Sequence, residues 1–256
     1  MRYFAELKYD GSAYCGWQRQ PDVPTVQGVL ETALSTLLRA PVETVGAGRT
    51  DTGVHAAYYV AHFDCDGPIA DAERFVYKLN MILPPDIAVD SLTAVADSAH
   101  ARFDAAEREY VYLIERRKNP HSRHASWQYY VPLDVTRMNE AAALLCGFDD
   151  FTSFAKLNSN NKSNRCRVVS ASWSESGPTL RFTIRADRFL RNMVRAVVGT
   201  LVDVGRGRLT VDDFRNIVAA RDLSLSSGGA PAQGLFLNDV TYPDSVFVRR
   251  SPKIIG

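Results

Sequence analysis

A large charge of one sign is what this 256-residue chain most plainly lacks: 30 Lys and Arg stand against 29 Asp and Glu, a net charge of +1. No whole-molecule field therefore draws in a polyanion, and any affinity for nucleic acid has to come from local clusters. No apolar run is long enough to span a bilayer, and the opening Met1-Arg2-Tyr3-Phe4-Ala5-Glu6 lacks the apolar core of a signal peptide. The four cysteines, Cys15, Cys65, Cys146 and Cys166, form neither a C-x-x-C pair nor a zinc spacing. That argues against a disulfide framework or a zinc module and for reduced thiols in a bacterial-type cytoplasm. Nor is there a cluster with obvious metal-ligand spacing. With 46% hydrophobic and 23% charged residues the composition is that of an ordinary globular protein, long enough for one large or two small domains.

What is present centres on Val45-Gly46-Ala47-Gly48-Arg49-Thr50-Asp51-Thr52-Gly53-Val54-His55-Ala56. The glycines keep the turn thin and allow backbone conformations closed to other residues, so a large partner can approach the Asp51 carboxylate. Arg49 lies two residues away, and an opposite charge at short range favours the ionised acid. Asp is also an ordinary turn residue, so the turn alone does not establish a site. The tripeptide Asp51-Thr52-Gly53 is shared with aspartic proteases, which need two carboxylates sharing a proton. No second such tripeptide occurs, the preceding residues are not an apolar strand, and a guanidinium so close opposes a shared proton.

Periodicity and turn signals give the order β-α-β-β-α-β over the first half. Tyr3 to Asp10 reads as a strand, Thr25 caps a helix running to Leu38, and Val42 to Val45 and Ala57 to Phe63 flank the Asp51 turn. Asp71 to Leu83 is a second helix stopped by Pro84-Pro85, and Ile87 to Val95 is a strand. The loop Gly11 to Pro21 carries Trp17 and Arg19, either surface residues or RNA contacts. His62 reads as structural, and so does His55. After a seam at Ala101-Arg102-Phe103-Asp104-Ala105 come a strand over Arg108 to Ile114, another over Trp127 to Pro132, and a helix over Thr136 to Cys146. A flexible basic loop spans Lys156 to Arg167. A hairpin joins Val168 to Ser174 with Leu180 to Ala186, helices cover Phe189 to Leu201 and Val211 to Ala220, and Leu235 to Tyr242 is the last strand. The expected fold is α+β: two tandem ferredoxin-like halves, residues 1–104 and 105–256, each with an antiparallel sheet flanked by helices and with a cleft between them.

The Gly-Arg-Thr-Asp-Thr-Gly-Val-His string closely resembles the signature of the tRNA pseudouridine synthase A (TruA) family, with Thr52 where many members carry Ala. The Tyr-Asp-Gly…Gly-Trp-Gln start, the Thr-Val-Gln-Gly helix, the Arg-x-Tyr-x-Tyr strand, the Phe-Leu-Arg-Asn-Met-Val-Arg helix and the Ala-Pro-Ala loop follow in the family's order, so the resemblance covers nearly the whole chain. It implies an isomerase that converts uridine to pseudouridine in the anticodon stem-loop of tRNA, at tRNA positions 38, 39 and 40, acting as a cytoplasmic homodimer without a membrane. Residue by residue, it makes Asp51 the nucleophile, Tyr110 the ring lying over the target base, and Arg195 the partner of Asp51 beside Arg49. Arg19 is a candidate RNA contact. The reaction breaks N1–C1′ and rejoins the uracil through C5 without gain or loss of atoms or electrons, so it calls for no metal and no redox cofactor. It does call for an ionised nucleophile and for extrusion of a base otherwise hidden in a helix. Whether Asp51 attacks C1′ or C6, or a glycal forms, stays open at this level. Phosphate contacts are expected from Arg116-Arg117-Lys118, Arg181, Arg185, Arg188, Arg191, Arg206 and Arg208, provided they line one groove. The rival readings are a silent RNA-binding module and a protease.

Overall fold

Strand β1 (Arg2–Tyr9) sets the pattern of the fold: Tyr3, Ala5, Leu7 and Tyr9 are buried on one face, while Lys8 on the other is exposed. Such alternation marks a sheet with helices over one face and solvent over part of the other, on which Phe4 is buried. The structure is a computed structural model, and it describes residues 1–156 and 163–247. Residues 157–162 of the expected Lys156 to Arg167 loop lie outside the described residues.

Helix α1 (Val26–Leu38) starts at Thr25, whose hydroxyl accepts the Gly28 N–H, and buries Val26, Leu30, Ala33 and Leu34. After β2 (Thr44–Gly46) and β3 (His55–Asp64) comes α2 (Ala72–Ile82), capped by the Asp71 carboxylate on the Arg74 N–H, then β4 (Ile87–Val95). These side-chain caps satisfy N–H groups that the first turn of a helix leaves open. The second half runs β5 (Glu107–Glu115), β6 (Trp127–Gln128), α3 (Val135–Ala143), β7 (Val168–Ser176), β8 (Thr179–Ala186), α4 (Met193–Gly205), α5 (Val211–Ala220) and β9 (Leu235–Thr241). No helix among the described residues is long and apolar enough to cross a membrane. The four cysteines are unpaired.

The α+β class holds, but the strands form one sheet rather than two. Its order is β4-β1-β3-β9-β5-β8-β7, with β2 also on β3 and β6 also on β5. The seam between the halves is parallel, His55 opposite Phe236 and Ala56 opposite Leu237. Sharing of an edge explains one short strand. Because β9 takes the edge of β5 from Glu107 to Tyr112, only Ile114 and Glu115 remain for β6, and the strand expected over Trp127 to Pro132 shrinks to two residues. Strand β2 pairs with Ala61 to Phe63 of β3.

Two apolar cores lie along the sheet, one per half, and Tyr110 packs against both. The chain then crosses back. Tyr242 and Phe247 pack edge-on against Phe4, Phe247 pairs with Val95, and Val246 is buried in the core of the first half.

Candidate active site

The Asp51 turn leaves β2, crosses the helix-covered face of the sheet and re-enters at β3. It rests on aromatic rings. Trp17, only 2% exposed, stacks on Tyr59 at 4.2 Å, and the Tyr59 hydroxyl donates to the Gly48 carbonyl at 2.5 Å. Tyr9 lies edge-on to Tyr59 and its hydroxyl bonds Thr50 Oγ1 at 2.8 Å. Burial pushes the Tyr9 and Tyr59 hydroxyls far above the usual phenol range, so both stay protonated. A Cβ on Gly46 would lie 2.0 Å from the Tyr59 hydroxyl, so a glycine is required there. Gly53 has φ +76°, the left-handed region, whereas Gly48 has open space and no such φ. Trp17 is thus a buried support of the turn, which corrects both readings offered for it, a surface residue or an RNA contact.

Asp51 is 27% exposed, and Arg191 Nε lies 3.5 Å from its Oδ1, the one ion pair of this carboxylate among the described residues. Arg191 reaches it because α4 begins later than its periodicity suggests. The expected helix from Phe189 starts instead at Met193, and Asn192 is left-handed at φ +65°. Leu190 to Met193 therefore form a turn, closed by the Met193 N–H on the Leu190 carbonyl, from which Arg191 reaches the acid. The Arg191 carbonyl also accepts the Lys156 N–H at 3.1 Å, which brings the start of the basic loop to the same place.

Arg195 stands in the first turn of α4. Its Nε donates to the Ala230 carbonyl at 2.6 Å and its own carbonyl accepts the Ala230 N–H at 2.9 Å. It makes no ion pair with Asp51 within 4 Å, so the contact expected of it is made by Arg191. Arg49 is exposed and has no ion pair among the described residues. Arg19 is not drawn to this cluster. It pairs at 3.3 Å with Glu31 on α1.

Tyr110 comes from the centre of β5. Its ring meets Phe189 edge-on at 5.0 Å, and burial together with the nearby Asp51 charge pushes its hydroxyl well above the phenol range. It therefore stays protonated and available as a donor. The loop after α5 closes the far side. Gly199 on α4 lets it in, since a Cβ there would lie 2.3 Å from the Gly228 carbonyl, and Tyr112 hydroxyl holds Pro231 O at 2.7 Å. The near side is held by Arg108, two residues from Tyr110 on the same face, whose guanidinium donates to the carbonyls of Ala47, Arg102, Ala105 and Asp187.

His55 is 2% exposed, and its Nδ1 accepts the Gly11 N–H at 3.1 Å. Burial lowers its pKa against the pull of Asp10. A neutral ring that fixes the turn agrees with the structural role expected of it. The basic residues expected on one groove do not share one. Arg185, on the face away from Tyr110, is tied to Glu109 and Asp239, Arg116 to Glu175, and Arg208 to Asp203.

A family model described as tRNA pseudouridine synthase matches residues 5–104 and 141–243, the stretches that carry Asp51, Arg191 and Arg195. The chain belongs to the tRNA pseudouridine synthase family. Relatives named tRNA pseudouridine synthase A include one from Parabacteroides distasonis, 50% identical over 246 residues, which cover 96% of this chain and 98% of the relative. Those from Bacillus licheniformis and Shewanella denitrificans are each 40% identical over 246 residues, covering 94% and 95% of this chain and 99% and 94% of the relatives. Against this family frame, the synthase's Arg191 and Arg108 were not legible as site residues. Arg191 stood inside the Phe-Leu-Arg-Asn-Met-Val-Arg segment and in a basic run, and Arg108 opened the Arg-x-Tyr-x-Tyr strand, but neither carried a role at the Asp51 turn. The strings do not give those roles, because both residues act through contacts distant in sequence.

Proposed function

We propose that the synthase converts uridine to pseudouridine in the anticodon stem-loop of tRNA, at tRNA positions 38 to 40, with Asp51 as the nucleophile. The observation that carries this is an acid on a thin turn, flanked by arginine and lying beside a half-buried, protonated tyrosine ring. In this reading Arg191 and Arg49 favour the ionised carboxylate. Arg195 is a second site cation: its Nε is fixed by Ala230, and its terminal nitrogens have no partner among the described residues. Tyr110 lies along the extruded uracil and offers its hydroxyl for proton transfer, while the low polarity around it strengthens each charge interaction. The tRNA supplies the rest of the binding energy through its backbone.

The same reading takes the chain as two ferredoxin-like halves divided after Asp104 and joined edge to edge. Support comes from the strand orders β4-β1-β3-β2 and β9-β5-β8-β7, which repeat one topology. It also includes a homodimer in the cytoplasm, carried by family resemblance.

The test is position mapping. Unmodified tRNA is incubated with the wild type or with Asp51→Asn, treated with carbodiimide and reverse-transcribed. Stops at the anticodon-stem uridines with the wild type alone are expected. Equal stops with Asp51→Asn would remove Asp51 from the chemistry, and stops confined to another arm would overturn the substrate assignment.

A further inference from the structure

The seam between the two halves carries the most exposed phenylalanine among the described residues, Phe103 at 74%. It is not a loose side chain. The His100 N–H donates to the Asp104 carboxylate at 2.7 Å, and the Asp104 N–H returns to the His100 carbonyl at 3.0 Å. Inside that closed turn the N–H groups of Arg102 and Phe103 both point at His100 Nδ1, at 3.1 and 3.2 Å. The imidazole is thereby fixed as an acceptor on that side, and the Phe103 ring stacks on it at 4.2 Å with planes 29° apart. His100 is braced in turn by the buried His62 ring at 4.8 Å, and His62 accepts the Ala101 N–H. Arg102 lies over the Phe103 ring at 5.7 Å and pairs with no carboxylate among the described residues.

This stack stands next to the catalytic turn. One nitrogen of Arg108, Nη2, donates both to the Arg102 carbonyl and to the carbonyl of Ala47, four residues before Asp51. The exposed, unpaired Arg49 follows Ala47 by two residues. A rigid aromatic ring in water, flanked by cations without acidic partners, has the make-up of a base-stacking platform with phosphate-binding neighbours. The charge favours an anion over an apolar segment, and the exposed ring face favours a nucleotide base over an acidic protein segment.

We propose that Phe103, backed by His100 and flanked by Arg102, stacks on a base of the substrate tRNA other than the one that enters the Asp51 pocket. The inference rests on the tRNA-modifying reading for its partner, but its readout is binding, so the two stand or fall separately. Held in this way, a neighbouring base would fix the register of the RNA against Asp51.

The experiment uses the full-length protein and unmodified tRNA. Phe103→Ala and Phe103→Leu are expected to weaken tRNA binding by about 5- to 150-fold, the range that corresponds to loss of one base–aromatic stack, with the loss falling on KM rather than kcat. Phe103→Trp is expected to restore affinity and to lose fluorescence when tRNA binds. Affinity of Phe103→Leu equal to that of the wild type would overturn the proposal, because leucine keeps the apolar contact and lacks only the ring. A sedimentation shift in Phe103→Ala without a change in tRNA affinity would also overturn it, by making the ring a contact between copies. Weakened binding by Phe103→Ala, with no turnover by the wild type, would keep the platform and remove the isomerase reading. Turnover by the wild type with Phe103→Ala binding unchanged would do the reverse.

Discussion

At Asp51 the useful fact is that its arginine partner is half out in water: Arg191 is 59% exposed, and its 3.5 Å contact is long. Such a pair adds little to stability, so Arg191→Ala should change the unfolding free energy by less than about 1 kcal/mol. The charge matters in turnover. Loss of one electrostatic partner at a reacting group lowers kcat by up to about 10²- to 10³-fold, and Arg191→Lys should recover part of it; an unchanged kcat in single-turnover assays would remove Arg191 from the site. Tyr59→Phe tests the support of the turn. It deletes only the hydroxyl that holds Gly48 O and should cost about 0.5–1.5 kcal/mol by urea denaturation. Asp51 on its thin turn and Tyr110 on its strand were legible in the sequence, because both sit in short contiguous strings. Arg191 was not, since its role depends on a left-handed Asn192 that nothing local announces.

Among the elements, α4 does the positioning, and Gly199 is the place to test it. Gly199→Ala puts a methyl group 2.3 Å from the Gly228 carbonyl. The loop must retreat and loosen the Ala230–Arg195 bonds. Overpacking of this kind costs about 1–3 kcal/mol, and kcat should fall with it; thermal unfolding and single-turnover rates on the same samples check both, and an unaltered melting temperature with wild-type kcat would contradict this account of the loop. The helices and their caps at Thr25 and Asp71 were legible because cap chemistry and 3.6-residue periodicity are local. The length of β6 was not, because it is decided by how much of the β5 edge β9 has already taken. Neither reading of Trp17, surface residue or RNA contact, held, for a similar reason: a loop tryptophan looks solvent-facing until the rings beneath it are known.

At the scale of the whole molecule, three histidines, His55, His62 and His100, are pushed down by burial, His62 to about 4 from an ordinary 6.5. A group whose folded pKa is depressed binds its proton more readily in the unfolded chain, so stability should decline as pH falls from about 6.5 towards 4. Urea midpoints at pH 7 and pH 5 should show the decline, and His62→Gln should flatten it; the same slope in that variant would assign it to other groups. The two α+β halves were legible as alternating strand and helix patterns, but their fusion into one sheet through the parallel β3–β9 pair was not, because strand pairing across 180 residues leaves no trace in periodicity. That fusion holds Asp51 of one half against Tyr110 and Arg191 of the other. The central claim is that this junction is an isomerase site with Asp51 as its nucleophile, and the most direct measurement is release of tritium from uracil C5 of unmodified tRNA. Wild type and Asp51→Asn are run in parallel, with tRNA binding measured for both. The account predicts release by the wild type, none by Asp51→Asn, and binding by both. Release by Asp51→Asn at the wild-type rate, or none from either protein while tRNA is bound, would contradict it.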